Sequence, residues 1–349
     1  MPAIDIEKIL WYAIQKWSSD IHITEGDYIA FRTSWHLEKL MDAPKLEWAL
    51  MDSFAMQIFN QNKEKLEEFK IKHDEDFAYV SKTDGTPFRV NWFFKMWKMG
   101  FIMRRIEREA KKMESLGLPP WVQKLVHAKQ WLFLVTWPTW SWKSTTMVSI
   151  LDKINELRAE HIITVEDPIE FIFSDKKSIF SQREVWHDTD SFIAAIRWAM
   201  REDPDIVMVW EMRDVATVEA ALNLAETWHL VFSTLHTSGS VSTINRVVQF
   251  FKPDVQHQAR IRLSDALLWV LSQRLVPRTD KDWRVAIHEL MFLTPWIKNL
   301  IRSWDFAQIN NNIETWSSEW MIPMKRSAEE KINAGMITPE SVIWYWEED

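Results

Sequence analysis

Leu132-Phe133-Leu134-Val135-Thr136-Trp137-Pro138-Thr139-Trp140-Ser141-Trp142-Lys143-Ser144-Thr145-Thr146 is the stretch that decides how this chain is read. It opens on a continuous apolar run, the pattern of a strand buried on both faces, and a helical pattern follows through Leu157. With glycine in place of each tryptophan, the loop between them becomes G-P-T-G-S-G-K-S-T-T. That matches the phosphate-loop pattern G-x-x-x-x-G-K-[ST] in its strand–loop–helix setting. The chemistry needs glycine because backbone N–H groups must wrap the phosphates closely and some residues need positive φ. Trp137, Pro138, Thr139, Trp140, Ser141, Trp142, Lys143, Ser144 and Thr145 are therefore the candidate nucleotide-binding residues. In such a loop Lys143 reaches the β- and γ-phosphates of ATP and Ser144 holds Mg2+. As spelled, three indoles of about 150–250 Å2 each fill the phosphate site. The plain alternative is that Lys143 and Ser144 merely start a helix.

The composition bears on that choice. The chain has 349 residues with 6 glycines and 23 tryptophans. At the usual glycine frequency of about 7%, roughly 24 are expected, so the glycine deficit and the tryptophan excess nearly cancel. A UGA codon read as glycine by the organism, but as tryptophan under another code table, accounts for both. UGG at codons 137, 140 and 142 would refute that origin. The rival is a genuinely glycine-poor chain with a dead site.

Length predicts two domains. At 47% apolar and 26% charged residues the chain is an ordinary folded protein. No cysteine is present, which excludes a disulfide framework and thiolate metal clusters. A net charge of −8 argues against broad nucleic-acid binding, and no nucleic-acid partner is expected. The N-terminus lacks a basic region followed by an apolar one, and no stretch approaches 18 apolar residues. The expectation is a cytoplasmic protein.

Residues 1–105 read as mixed α and β. Ile6, Ile9, Leu10 and Ala13 lie at helical spacing, Ile21–Thr24 alternates like a strand, and 46–69 is helical in pattern. Phe77–Val80 and Phe88–Asn91 flank an Asp84-Gly85 turn, and Phe101–Met103 is a further strand. Residues 106–120, charged and closing on Gly117-Leu118-Pro119-Pro120, read as a linker. Over 121–349, the apolar runs Leu132–Val135, Ile162–Val165, Ile206–Val209 and Leu230–Phe232 alternate with helical patterns, which indicates an α/β fold on a mainly parallel sheet. From about Thr294 the chain reads as helical.

Three further strings carry chemistry. Thr164-Val165-Glu166-Asp167-Pro168-Ile169-Glu170 puts carboxylates after a strand, where one can orient or deprotonate water. Asp203–Asp214 is a strand ending in Trp210-Glu211, and a carboxylate there suits Mg2+. Glu226–Thr237 places His229 and His236 at the two ends of an apolar run, where structural histidines are the ordinary alternative to phosphate sensors.

In order, these four strings resemble the Walker A, Asp box, Walker B and His box of the secretion ATPase superfamily of type II secretion and type IV pili. Gln182–Val185, Arg201–Asp205 and Ser272–Leu275 also look like that family, and the resemblance covers nearly the whole chain. Within it, the chain is similar to the PilT family of twitching-motility retraction ATPases. The expectation is the short N-terminal domain without the extra N-terminal region of assembly ATPases, and with no cysteine present the tetracysteine zinc motif of those enzymes is missing. Ile297, Lys298, Asn299, Leu300, Ile301 and Arg302, after Trp296, resemble the retraction motif AIRNLIRE, with Trp296, Lys298 and Ser303 departing from it.

The resemblance implies a PAS-like α+β N-terminal domain, a RecA-like P-loop domain with a helical C-terminal part, and a homohexamer with ATP between subunits. It implies roles for Glu166 in activating water with Glu211 as runner-up, for Ser144 and Glu211 at Mg2+, and for His229 and His236 as γ-phosphate sensors. Arg89, Arg104 and Arg105 resemble the arginines that the N-terminal domain lends to the nucleotide. An inner-membrane platform protein and a paralogous motor ATPase are the implied partners, and the inner face of the cytoplasmic membrane the implied location. The rival functions are an assembly or secretion motor, a catalytically dead ring scaffold, and, more remotely, a DNA-handling RecA-like motor. Familial glycine positions fall on Trp at 17, 35, 131, 137, 140, 142, 210, 228, 269, 283 and 316; Trp186 also fits, whereas 11, 48, 121, 344 and 346 are less clear.

Overall fold

A computed structural model describes residues 5–33, 36–59, 62–107, 109–136, 143–185, 187–279, 284–315 and 321–343, without the side chains of 65, 72, 143 and 144. The chain divides into two compact units, Met1–Glu107 and Arg108–Asp349.

The first unit holds α1 (Ile6–Gln15), β1 (Asp20–Thr24), β2 (Ala30–Thr33), β3 (His36–Lys39), α2 (Trp48–Ile58), α3 (Lys63–Lys72), β4 (Asp74–Val80), β5 (Pro87–Lys95) and β6 (Lys98–Arg105). Its sheet runs β3-β2-β1-β6-β5-β4 with every neighbour antiparallel. Asp5 caps α1 by accepting from the Glu7 N–H, and Ile6, Ile9, Leu10 and Ala13 face the core. The β4–β5 hairpin turns at Gly85, whose φ of 73° suits a residue without Cβ. Trp92 is fully buried and meets Phe101 edge-on, ring centres 4.5 Å apart.

The second unit holds α4 (Val122–Leu125), β7 (Trp131–Thr136), α5 (Lys143–Leu157), β8 (His161–Glu166), β9 (Ile179–Glu184), α6 (Phe192–Ala199), β10 (Ile206–Val209), α7 (Val215–Glu226), β11 (Leu230–Leu235), α8 (Ser240–Gln249), α9 (Gln256–Ala266), β12 (Leu267–Pro277), β13 (Arg284–Phe292), α10 (Pro295–Ser303), α11 (Phe306–Thr315) and α12 (Met324–Asn333). The sheet order is β13-β12-β7-β11-β10-β8-β9, parallel from β12 to β9, with β13 antiparallel at the edge.

Alternation along the strands builds a core on each face. Leu132, Leu134, Val207, Val209 and Val231 pack with residues of α7 to α11. Phe133, Val135, Ile206, Met208 and Phe232 pack with α4 and α5 on the other face. Continuous apolar strands are thus explained by helices on both sides. The stretch 106–120 is not a bare connection over its length. Met113 is buried in the α5-side core, and Ser149 Oγ donates to the Lys111 carbonyl at 2.5 Å. Among the described residues no helix is long and apolar enough to cross a membrane.

Candidate functional site

Register places the functional strand ends together. Thr136, the last residue of β7, lies beside Leu235 of β11; Val209 of β10 lies beside Ser233 of β11 and Val165 of β8. Glu166, Glu211 and His236 therefore leave the sheet at the edge where β7 passes toward α5. In parallel α/β sheets the carboxyl ends of the strands are where ligands sit. Trp137, Pro138, Thr139, Trp140, Ser141 and Trp142 lie outside the described residues, as do the side chains of Lys143 and Ser144, whose backbone opens α5. Thr145 is half-buried, and Thr146 is buried and donates to Gln273 Oε1 at 2.8 Å.

Glu211 and His236 meet directly, with His236 Nε2 3.2 Å from Glu211 Oε1. The other Glu211 oxygen lies 3.0 Å from Arg213 Nε, and Arg213 also reaches Asp167 Oδ2 at 3.2 Å. One guanidinium thus joins two carboxylates, and a histidine meets one of them, the three groups coming from three strand ends. Glu211 keeps 14% of its side chain exposed and His236 keeps 39%, so both are open to a ligand.

Glu166 is different. Only 1% of it is exposed, and Oε1 accepts from Thr164 Oγ1 at 2.6 Å and from Gln182 Nε2 at 3.2 Å. Burial pushes its carboxyl up to about 7, against those hydrogen bonds, which favour the charged form. The group has a useful acid–base range, but its oxygens face neighbouring side chains rather than water.

His229 is not brought to this edge. It precedes β11, and seven residue steps at about 3.3 Å put it roughly 20 Å from His236. There its Nδ1 pairs with the Leu224 carbonyl and Thr227 Oγ1, each at 3.1 Å, and its own carbonyl accepts from the Trp131 N–H. It closes a turn.

In the first unit, Arg89 and Arg104 are direct cross-strand partners on β5 and β6, whereas Arg105 faces the other way. Arg89 pairs with Asp76 at 3.1 Å and Arg104 with Asp20 at 2.7 Å. Arg105 lies near Glu107 and over the Trp17 ring. Residues 297–302 form most of α10. Thr294 caps it, Pro295 opens it, and Ile297, Leu300 and Ile301 are buried. Arg302 ties α10 to Ser264 and Asp265 at the end of α9, Lys298 lies over the Trp131 ring, and Asn299 is exposed.

The backbone speaks to the tryptophans. Among the described non-glycine residues with positive φ are Trp17 (54°), Trp97 (65°), Trp131 (94°), Trp228 (72°) and Trp304 (66°). For a bulky side chain this is a strained region. Trp97 and Trp304 were not among the sequence-derived positions. The signals were local: Met96-Trp97 is the two-residue turn between β5 and β6, and Trp304 ends α10 in the left-handed conformation usual for a C-terminal glycine. Trp210 and Trp269 do not have positive φ and are buried in the α5-side core. Arg213 and Asp167 carried no assigned role in the sequence because their contact joins two strand ends 46 residues apart.

The profile of the "Type II/IV secretion system protein" family matches residues 2–343. The type IV pilus retraction ATPase PilT of Pseudomonas aeruginosa is 38% identical over 339 residues, covering 97% of each chain. A twitching motility protein of Neisseria gonorrhoeae is 36% identical over 329 residues, covering 93% of this chain and 87% of that one. Among solved structures, the pilus retraction motor PilT with bound ADP superposes with a TM-score of 0.89 at 39% identity, covering 97% of this chain and 96% of that one.

Proposed function

The chain belongs to the type II/IV secretion system protein family, and on that premise we propose that it is an ATP-hydrolysing motor that drives type IV pilus retraction and twitching motility. The observation that carries this reading is the convergence of Glu211, His236, Arg213 and Asp167 at the sheet edge where β7 passes to the Lys143 helix. Near full-length similarity to retraction ATPases supports the direction of work.

In this reading Lys143 and the loop amides hold the phosphates. Mg2+ takes oxygen ligands and draws most of them from phosphate and water, so one hydroxyl and one carboxylate suffice, and Ser144 and Glu211 supply them. Glu211, more open than Glu166, orients the attacking water. Glu166, held by Thr164 and Gln182, fixes the end of β8. His236 senses the γ-phosphate; His229 is structural. Arg89 and Arg104, cross-strand partners in the PAS-like domain, lend positive charge to a bound nucleotide, whereas Arg105, on the opposite face of that sheet, does not share their site. The working state is a homohexameric ring on the cytoplasmic face of the inner membrane, where a platform protein and a paralogous motor are partners. Hydrolysis moves one domain against the other and draws pilin subunits out of the fibre.

We further infer that tryptophans at positive φ stand for glycines, and that the same holds at 137, 140 and 142. The five torsion angles support this, independently of the phosphate-loop spelling. Peptide masses from the native protein test it, and tryptophan at 97, 228 and 304 would overturn it. For the motor itself, the full chain with glycine at 137, 140 and 142 is assayed for Mg2+-dependent ATP hydrolysis under ring-forming conditions. Absence of hydrolysis overturns the enzyme reading. Deletion of the gene is expected to leave pili present but twitching lost; loss of the pili instead would make it an assembly motor.

A further inference from the structure

Behind the candidate site runs a row of hydroxyls that no step above uses. Thr237 Oγ1 lies 2.6 Å from Thr243 Oγ1, Thr243 lies 3.3 Å from Thr136 Oγ1, and Thr136 lies 3.0 Å from Ser272 Oγ. Thr136, Thr243 and Ser272 are fully buried. The four come from different places: the end of β7, the turn after His236, the first turns of α8, and β12.

Thr243 is the junction. It also donates to the Gly239 carbonyl at 2.6 Å, the i−4 bond that threonine makes in a helix. A hydroxyl has one proton and two lone pairs. Shared between the Gly239 and Thr136 oxygens, that proton cannot serve Thr237, so Thr237 donates to Thr243. The start of α8 is anchored a second time, by the Ser240 N–H on Glu289 Oε1 at 2.6 Å. Packing alone does not call for this arrangement, since valine has nearly the shape of threonine and burying a hydroxyl is costly unless it is bonded.

We propose that Thr243 is a positioning residue for ATP hydrolysis: its hydroxyl holds the turn that carries His236 to the strand that leads into the phosphate loop. This rests on the motor reading above. Thr237 adjoins His236, which meets Glu211, so the hydroxyl row fixes where that pair stands relative to Thr136. Freed of it, the turn loses its side-chain tie to Thr136, and the His236–Glu211 pair loses its fixed distance from the phosphates.

The test compares Thr243→Val, Thr243→Ser and Thr237→Val in the full chain carrying glycine at 137, 140 and 142. Thr243→Val is expected to lower kcat about tenfold or more, since small misplacements of reacting groups are costly. KM for ATP should stay within about twofold, because phosphate binding is left intact. Thr243→Ser keeps the hydroxyl, loses a buried methyl, and is expected to restore kcat. Thr237→Val, at a half-buried position, should repeat the kcat loss and decides the matter if Thr243→Val does not fold. Equal losses for valine and serine, a loss confined to KM, or unchanged kcat in both valine variants overturns the proposal. A parent protein that binds ATP without hydrolysing it overturns the motor reading instead, and this inference with it.

Discussion

At or just beyond the ends of β7, β8, β10 and β11 stand Thr136, Glu166, Glu211 and His236. Where the same strands begin, the chain arrives through turns: Trp131 and Trp228 have positive φ, Asp203 does too, and His161 and His229 bond backbone carbonyls. The helices on both faces hold the two edges alike, yet side chains at one edge face outward groups and at the other close the backbone on itself. His229 and His236 show how little separates the roles. They share one string and flank one strand, and the length of β11 sets His236 beside Glu211 and leaves His229 in a turn.

The sharpest test of this contrast is Glu211→Gln, expected to reduce kcat by roughly two to three orders of magnitude, the range for loss of a general base. ATPase assays with unchanged ring formation check it, and a residual rate within tenfold would move the base elsewhere.

Glu166 belongs to the same edge but to its interior. Between its ordinary value of 4.5 and its folded value of about 7, the folded chain keeps a proton that the unfolded chain has lost. Stability attributable to this group therefore falls as pH rises through that window. The difference amounts to roughly 3 kcal/mol at most, at about 1.4 kcal/mol per pKa unit. Glu166→Gln should become progressively more stable than the parent from pH 5 to pH 8 in urea titrations. A pH-independent difference would place the carboxylate in solvent.

The histidine pair gives a smaller separation. His236→Ala should lower kcat at least about tenfold with little change in stability, whereas His229→Ala should cost about 1 kcal/mol in unfolding free energy and leave kcat within about threefold. Equal kinetic losses would erase the distinction between the edges.

The smallest effect concerns the turns. Trp228 is 79% exposed at φ 72°, so Trp228→Gly should raise stability by about 0.5–1 kcal/mol: relief of about 1–2 kcal/mol of left-handed strain less the chain entropy of glycine. By contrast Trp92→Gly, in the packed core of the first unit, should cost at least about 3 kcal/mol. Thermal melts distinguish the two, and a destabilising Trp228→Gly would show the indole to be at home there.

The central strands were legible because burial on both faces makes them continuous apolar runs. β9 was not: Ile179–Glu184 lies at the sheet edge, and after Ile179 and Phe180 its four remaining residues, Ser181 to Glu184, are all polar. β12 follows α9 without a break, so its apolar residues extend a helical pattern, and in β13 the apolar residues Val285–Ile287 and Leu290–Phe292 are split by His288 and Glu289 with no strand-like alternation. At the site, Glu211 and His236 could be read from their strings, since a polar residue ending an apolar run emerges at a sheet edge. Which edge could not be read, and this is why His229 stood beside His236. The Arg213–Asp167 contact and the hydroxyl row depend on strand order, which neighbouring residues do not encode.

The hairpin turn at Met96-Trp97 has one last consequence. Strand register on either side dictates its torsion angles, whatever residue is written there. Backbone geometry is thus a witness to the gene that is independent of the translation table. Where a fold demands left-handed torsion and the written sequence offers an indole, the conflict can be scored position by position. A set of such turns could decipher a reassigned codon in a genome known only from its DNA.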